Sequence, residues 1–237
     1  MATERRNPVW GYHDLVLFVS GVLPALALAA LCLRLIRSVT PAGLLSDAGT
    51  TLVFQSFMYV FLLGALFLVV TTRYGEPFWS ALGWNFPIPR PFLLLVAGPA
   101  MAFSLSAIGV LLRTPLETSQ VEDLINSRES LAAVMLFGVV FAPIFEELLF
   151  RGFLFPLLAR SAGPWLGILF TAIPFAALHG AQNHWNWQPV VLIGVAGAVF
   201  GWVRYKTGST TAAFLLHASY NATQFVAYAL THWRTLD

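Results

Sequence analysis

Charged residues are scarce in this sequence: Asp, Glu, Lys and Arg together make up 10% of its 237 residues. A soluble globular domain carries about 25% charged residues, so this chain has too few to cover a water-facing surface. The net charge of +2 is also too small for the basic footprint of a nucleic-acid-binding protein. A membrane protein in contact with the lipid bilayer is the class that remains, because 58% of the residues are hydrophobic.

Cysteine and lysine are nearly absent. The single cysteine, Cys32, excludes a disulfide bond within the chain. Lys206 is the only lysine among the 13 basic residues, while Ala, Leu and Arg are abundant. This usage is typical of a GC-rich bacterial genome, so we expect a bacterial protein of the cytoplasmic membrane.

Long apolar runs predict transmembrane helices, since crossing a bilayer takes about 20 predominantly apolar residues. They predict an all-α, polytopic membrane protein with about seven transmembrane helices. The predicted spans are 14–36, 50–72, 91–113, 130–160, 164–181, 189–206 and 210–231. The fourth is too long for one perpendicular crossing, and Pro143 and Pro156 are the expected places for a bend.

Seven spans would put the two termini on opposite sides of the membrane, and basic residues are enriched on the cytoplasmic side. The side of the N-terminus holds Arg5, Arg6, Arg73, Arg90, Arg160, Arg204 and Lys206, against Arg34, Arg37, Arg113, Arg128 and Arg234 on the other. We therefore expect the N-terminus in the cytoplasm. No internal repeat is visible, so the sequence gives no support to an inverted-repeat transporter.

Three ionisable residues interrupt the apolar stretch from Leu131 to Leu158: Glu146, Glu147 and Arg151. Each costs roughly 2.5–3.5 kcal/mol at a bilayer centre, so the cluster predicts a functional site. Residues four apart share a helix face, which makes Glu147 and Arg151 partners. Glu146 points about 100° away from Glu147. It is therefore left without a local counter-charge and is the acid available for chemistry.

Two later spans carry polar residues at helical spacing. Phe175 and His179 are four apart in the fifth span, as are His217 and Asn221 in the seventh. Each pair shares a face, so Phe175 can support the His179 ring and the second pair can address a common point. Together with Glu146 these residues contain the parts for attack of water on an amide: a carboxylate base, an imidazole and neutral donors for an oxyanion.

The ordered motifs Glu-Glu-x-x-x-Arg, Phe-x-x-x-His and His-x-x-x-Asn on successive hydrophobic helices resemble the CPBP (Abi) family. This family groups CAAX-type prenyl endopeptidases with bacterial relatives linked to bacteriocin processing and self-immunity. The resemblance covers roughly residues 130–225, and all three motifs are complete. It implies a catalytic core over 130–231, in the last four helices. Residues 1–129 would be N-terminal transmembrane helices and loops, within a single membrane domain.

The resemblance implies an intramembrane endopeptidase, a hydrolase with a protein or peptide substrate. Glu146 and His179 would be catalytic and activate water. His217 and Asn221 would be catalytic and stabilise the oxyanion. Structural support of the site would come from Glu147, Arg151 and Phe175. The substrate would be a prenylated CAAX protein or, in a bacterium, a peptide, precursor or sorting signal.

The family has been described both as metalloproteases and as glutamic-type proteases. Glu146, His179 and His217 are the candidate ligands if zinc is present, since two histidines and a carboxylate leave an open fourth position. No His-Glu-x-x-His helix occurs, and we favour the mechanism without a metal or other cofactor.

Three other interpretations use the same residues. The charges of the fourth helix are also compatible with a purely structural ion network. Buried Glu, His and Arg occur in transporters and proton pathways as well, although repeated halves are missing here. A catalytically silent immunity protein would keep the fold but lose motif residues, and none is lost.

Overall fold

The computed structural model describes residues 8–41, 43–115 and 119–236. Arg5 and Arg6, used to predict the orientation, lie outside these ranges. Within them the regular structure is helical and includes no strand, which confirms the all-α class. The helices are α1 (Tyr12–Val39), α2 (Asp47–Arg73), α3 (Phe78–Ala81), α4 (Pro91–Leu111), α5 (Arg128–Ala162), α6 (Pro164–Leu178), α7 (Trp187–Thr207) and α8 (Thr210–His232).

Every predicted span falls on one of these helices. Five of the described helices, α1, α2, α4, α5 and α7, are long and apolar enough to cross a membrane. Helix α6 has only 15 residues, about 22 Å of helix, and is shorter than a hydrocarbon core of about 30 Å. Helix α8 has 23 residues, but polar side chains such as His217 and Asn221 lower its hydropathy. The chain is a multi-pass membrane protein.

The chain divides into two compact units, one up to Ala81 and one from Leu82. The first contains α1, α2 and α3. The start of α1 meets the end of α2 at Asp14, which accepts hydrogen bonds from Gly11 N (2.8 Å) and Tyr74 Oη (2.6 Å). Arg73 Nε lies 3.3 Å from the same carboxylate. These contacts place the two helix ends on one side of the first unit.

The second unit contains α4 to α8, and α4 packs lengthwise against α8. At their crossing, a Cβ atom on Gly98 would overlap Ser219, whose hydroxyl donates to Leu94 O at 3.2 Å. Ser219 lies between His217 and Asn221, so α4 supports the part of α8 that carries these residues. The sequence assigned α4 to the N-terminal part of the chain, and it lies in the same compact unit as α5 to α8. The division at residue 130 stays a prediction.

Helix α5 is not regular along its length. Two wide, π-type turns interrupt it, at Phe137–Phe141 and at Leu148–Leu154. Each ends shortly before one of the prolines expected to bend the helix, Pro143 and Pro156. Single π-type turns inside α-helices are frequent at functional sites. The short α-helical segment between them, Ala142–Glu147, carries both glutamates of the charged cluster.

Candidate active site

The predicted ion pair of the charged cluster is present inside the second unit. Arg151 Nη1 donates to Glu147 Oε1 at 3.0 Å, and both side chains are fully buried. Arg151 Nη2 donates to Gly197 O at 2.7 Å, and the guanidinium lies 4.6 Å from the ring centre of Phe175. A Cβ on Gly197 would come within 2.8 Å of the Phe175 ring, so glycine is required for this approach.

His217 from α8 also contacts Glu147. Its Nδ1 lies 2.9 Å from Glu147 Oε1, the oxygen that accepts from Arg151. Because that carboxylate acts as an acceptor, the proton of the contact belongs to Nδ1, and Nε2 is left facing the site. The ring stacks on Phe200 with centroids 4.4 Å apart, which fixes its plane. Sequence spacing could not distinguish which of two adjacent glutamates His217 would contact.

His179 follows the last residue of α6. Its Nδ1 lies 2.8 Å from Phe175 O, and because a carbonyl oxygen can only accept, Nδ1 carries the proton. The ring lies 4.7 Å from the Phe175 ring, so this phenylalanine supports the imidazole as predicted. His179 therefore presents Nε2, without a proton in the neutral ring, to the site.

Glu146 lies between the two histidines. Its Oε1 is 4.0 Å from His179 Nε2, and its Oε2 is 3.8 Å from His217 Nε2. Both separations exceed a direct hydrogen bond, but one bridging water joins acceptors about 4 to 4.5 Å apart. The Glu146 side chain is 14% exposed, whereas Glu147 is fully buried. The predicted convergence of Glu146, His179 and His217 is present.

The comparison with known families agrees with these motifs. Residues 128–223 match the family model for the type II CAAX prenyl endopeptidase Rce1-like proteins. This part of the chain is similar to that family and is named the Rce1-like domain. The match confirms the resemblance to the CPBP family, and the family implies a membrane peptidase with a protein or peptide substrate. No curated protein and no solved structure matches the chain.

Asn221 of the Rce1-like domain has a different contact from the one expected. Its Nδ2 donates to Gly138 O in the first wide turn of α5, at 2.8 Å. One amide hydrogen is thus used to hold α5, and the other remains for a different acceptor. No sequence signal ties residue 221 to residue 138, because the contact joins two helices that are distant along the chain.

The two site histidines of the Rce1-like domain share one feature with zinc-ligating histidines. Both imidazoles direct Nε2 to the site while Nδ1 donates to a second oxygen, as in zinc-ligating histidines. However, no three His, Cys, Asp or Glu side chains are grouped to hold a metal ion in the part of the chain that the structure describes. The mechanism without a metal therefore stays a prediction, and zinc held by Glu146, His179 and His217 stays its alternative.

Proposed function

We propose that the Rce1-like domain is an endopeptidase that hydrolyses a peptide bond in the membrane with water activated by Glu146 and His179. The observation that carries the proposal is the position of Glu146, with its two oxygens 4.0 and 3.8 Å from the Nε2 atoms of histidines on two other helices. Glu147 holds Arg151 and His217 by direct hydrogen bonds. Glu146 is too far from both histidines for such a bond, so its carboxylate is available for chemistry.

In the first step, a water molecule bridges Glu146 Oε1 and His179 Nε2. Glu146 takes one proton while the water oxygen attacks the carbonyl carbon of the scissile bond, which gives a tetrahedral intermediate with a negative oxygen. His179 accepts a hydrogen bond from the same water and orients it. The orientation of the ring is fixed by the bond from Nδ1 to Phe175 O.

In the second step, the carbon–nitrogen bond breaks and the leaving nitrogen takes the proton held by Glu146. This restores the glutamate and releases an amine and a carboxylic acid, which then gives its remaining proton to the amine. The second amide hydrogen of Asn221 is the proposed donor to the oxyanion. His217 donates from Nε2 when its ring is protonated, and the Glu147 carboxylate, 2.9 Å from Nδ1, is the counter-charge for that form.

The proposed substrate is a membrane-associated protein or peptide that carries a C-terminal signal. The family description names CAAX prenyl endopeptidases, and a prenyl chain would partition into the lipid around the apolar helices. We therefore propose a CAAX-type C-terminus as the substrate class and the glutamic mechanism as its chemistry.

Cleavage of two internally quenched peptides tests this proposal: a farnesylated CAAX peptide and the same peptide without the lipid. We expect purified wild type in detergent to cleave the farnesylated form. Glu146→Gln should lower kcat about 10²- to 10⁴-fold with an unchanged melting temperature, because it removes the base and keeps the shape. The matched control is Glu129→Gln, which removes an exposed acid from the same helix.

Three results would contradict parts of the proposal. Equal cleavage by wild type and Glu146→Gln would exclude Glu146 as the base. Failure to cleave either peptide would exclude the CAAX-type substrate. Loss of activity with a zinc chelator, restored by added zinc, would replace the glutamic mechanism with the zinc-dependent alternative.

A further inference from the structure

The two wide turns of α5 lie on either side of Glu146 and Glu147. In a regular helix the carbonyl of residue i accepts from the N–H of i+4, and in a wide turn it accepts from i+5. The last such bond of the first turn runs from Ala142 N to Phe137 O. The corresponding bond of the second turn runs from Phe155 N to Phe150 O.

In both turns the next carbonyl meets a proline. The residue five positions after Gly138 is Pro143, and the residue five positions after Arg151 is Pro156. Proline has no N–H, and the amide of the residue before it is already used by the preceding carbonyl. The carbonyls of Gly138 and Arg151 therefore lack a partner within α5. An unpaired carbonyl is unfavourable at membrane depth, so each needs a donor from another element.

Each of the two carbonyls receives a side-chain donor from another helix. Asn221 Nδ2 of α8 donates to Gly138 O at 2.8 Å, and Arg204 Nε of α7 donates to Arg151 O at 3.1 Å. Asn221 belongs to the motifs of the family. Arg204 belongs to none of them, yet it makes the equivalent contact at the other end of the short segment that carries Glu146.

The Arg204 guanidinium is closely packed against the glycine at residue 83. A Cβ on Gly83 would lie 2.7 Å from Arg204 Nη2, and a Cβ on Gly152 would lie 3.0 Å from Leu82. Gly83 thus lets Arg204 come close to the segment that follows Leu82. Gly152 lets Leu82 come close to the second wide turn. Within the described ranges, Arg204 forms no ion pair with a carboxylate, so a salt bridge does not account for its placement.

We infer that Arg204 is a positioning residue for Glu146, acting through the second wide turn of α5. This inference rests on the proposed function. The turn adds one residue relative to regular helix, which rotates everything before it by about 100° relative to everything after it. Arg151 lies within this turn, and Glu146 lies before it. Holding the turn open therefore sets the direction in which Glu146 points relative to the part of α5 from Phe155 onward.

Three variants test the inference. Arg204→Met keeps the length of the side chain and removes its donors, and Arg204→Lys restores one donor. Lys206→Met is the matched control, because it removes a positive charge from the same end of α7, where the side chain is exposed. The readouts are hydrogen exchange of residues 148–154 in detergent, and kcat and KM for the farnesylated peptide.

We expect Arg204→Met to speed exchange in 148–154 and to lower kcat, each by about tenfold, with KM unchanged, because one charge-assisted hydrogen bond is lost. Arg204→Lys should recover part of both effects, and Lys206→Met should show neither. Should Arg204→Met not fold, Arg204→Leu, which also lacks a donor, takes its place.

Unchanged exchange at 148–154 in Arg204→Met would overturn the inference, and so would faster exchange with an unchanged kcat. A general loss of protection that Arg204→Lys does not recover would reduce Arg204 to a packing residue. If wild type cleaves neither peptide, the proposed function fails, whereas the exchange data still decide whether Arg204 holds the turn.

Discussion

Each unit of this protein buries one carboxylate between an arginine and a histidine. In the first unit Asp14 lies 3.3 Å from Arg73 Nε and 3.2 Å from His13 Nε2. In the second, Glu147 lies 3.0 Å from Arg151 and 2.9 Å from His217. Both carboxylates are fully buried. The same three types of side chain are thus brought together twice.

The two clusters differ in depth and in their neighbours. Arg73 and His13 are 47% and 61% exposed at the ends of their helices, whereas Arg151 and His217 are 0% and 4% exposed. In the second cluster another acid, Glu146, directly precedes Glu147 in the chain and lies 4.0 and 3.8 Å from two histidine nitrogens. In both units, the contacts of a buried carboxylate with an arginine and a histidine therefore hold helices together. In the proposed mechanism, reactivity comes from Glu146, which does not take part in these contacts.

The largest effect on stability is expected from breaking the buried ion pair between Glu147 and Arg151 in the second unit. Arg151→Met should destabilise the protein by about 3–5 kcal/mol, because it leaves Glu147 buried with only His217 as a partner. Unfolding by denaturant in detergent micelles measures this change. A loss below about 1 kcal/mol would show that Arg151 is not needed to compensate the charge of Glu147.

A smaller effect is expected from the cluster of the first unit. Asp14→Asn keeps a side-chain oxygen that can accept from Gly11 N but loses the charge that faces Arg73. We expect a loss of about 1–3 kcal/mol, because the partners remain partly solvated. The same unfolding experiment checks the value, and kcat per folded molecule should stay at the wild-type level. A fall in kcat comparable to that of Glu146→Gln would contradict a purely structural role for the Asp14 cluster.

The smallest effect is a pH dependence at Tyr74. Burial, and then the hydrogen bond to Asp14, raise the pKa of Tyr74 above its ordinary value. Above about pH 10 the unfolded chain loses this proton while the folded chain keeps it. The unfolded state then binds fewer protons, so stability should fall as pH rises through this range. Tyr74→Phe should remove that part of the alkaline loss in unfolding curves, and an unchanged curve would argue against the contact.

The sequence was sufficient to locate the helices, because lipid contact requires long apolar runs and these are visible in the composition. It was also sufficient to pair Glu147 with Arg151, since helical periodicity fixes that geometry. It did not reveal that His217 contacts Glu147 directly. That contact depends on how α8 is rotated against α5, and a single sequence carries no signal for such a rotation.

The sequence alone predicts only part of the contacts made by the two wide turns of α5. Pro143 and Pro156 indicate two carbonyls that lose their helical partners, so the need for two donors could have been predicted. Which side chains supply them could not, because Asn221 and Arg204 reach α5 only through the packing of α7 and α8. In the sequence Arg204 counted merely as one charge at the end of a span.

The contact between Glu147 and His217 has a consequence for how the protein is made. The middle of helix α5 carries three ionisable side chains into the membrane, each unfavourable in lipid. Arg151 finds Gly197 O only after α7 is synthesised, and His217 arrives on α8, the last helix of the described chain. In the proposed mechanism the site is therefore incomplete in a chain translated only as far as α7, and hydrolysis begins only once α8 has joined the other helices.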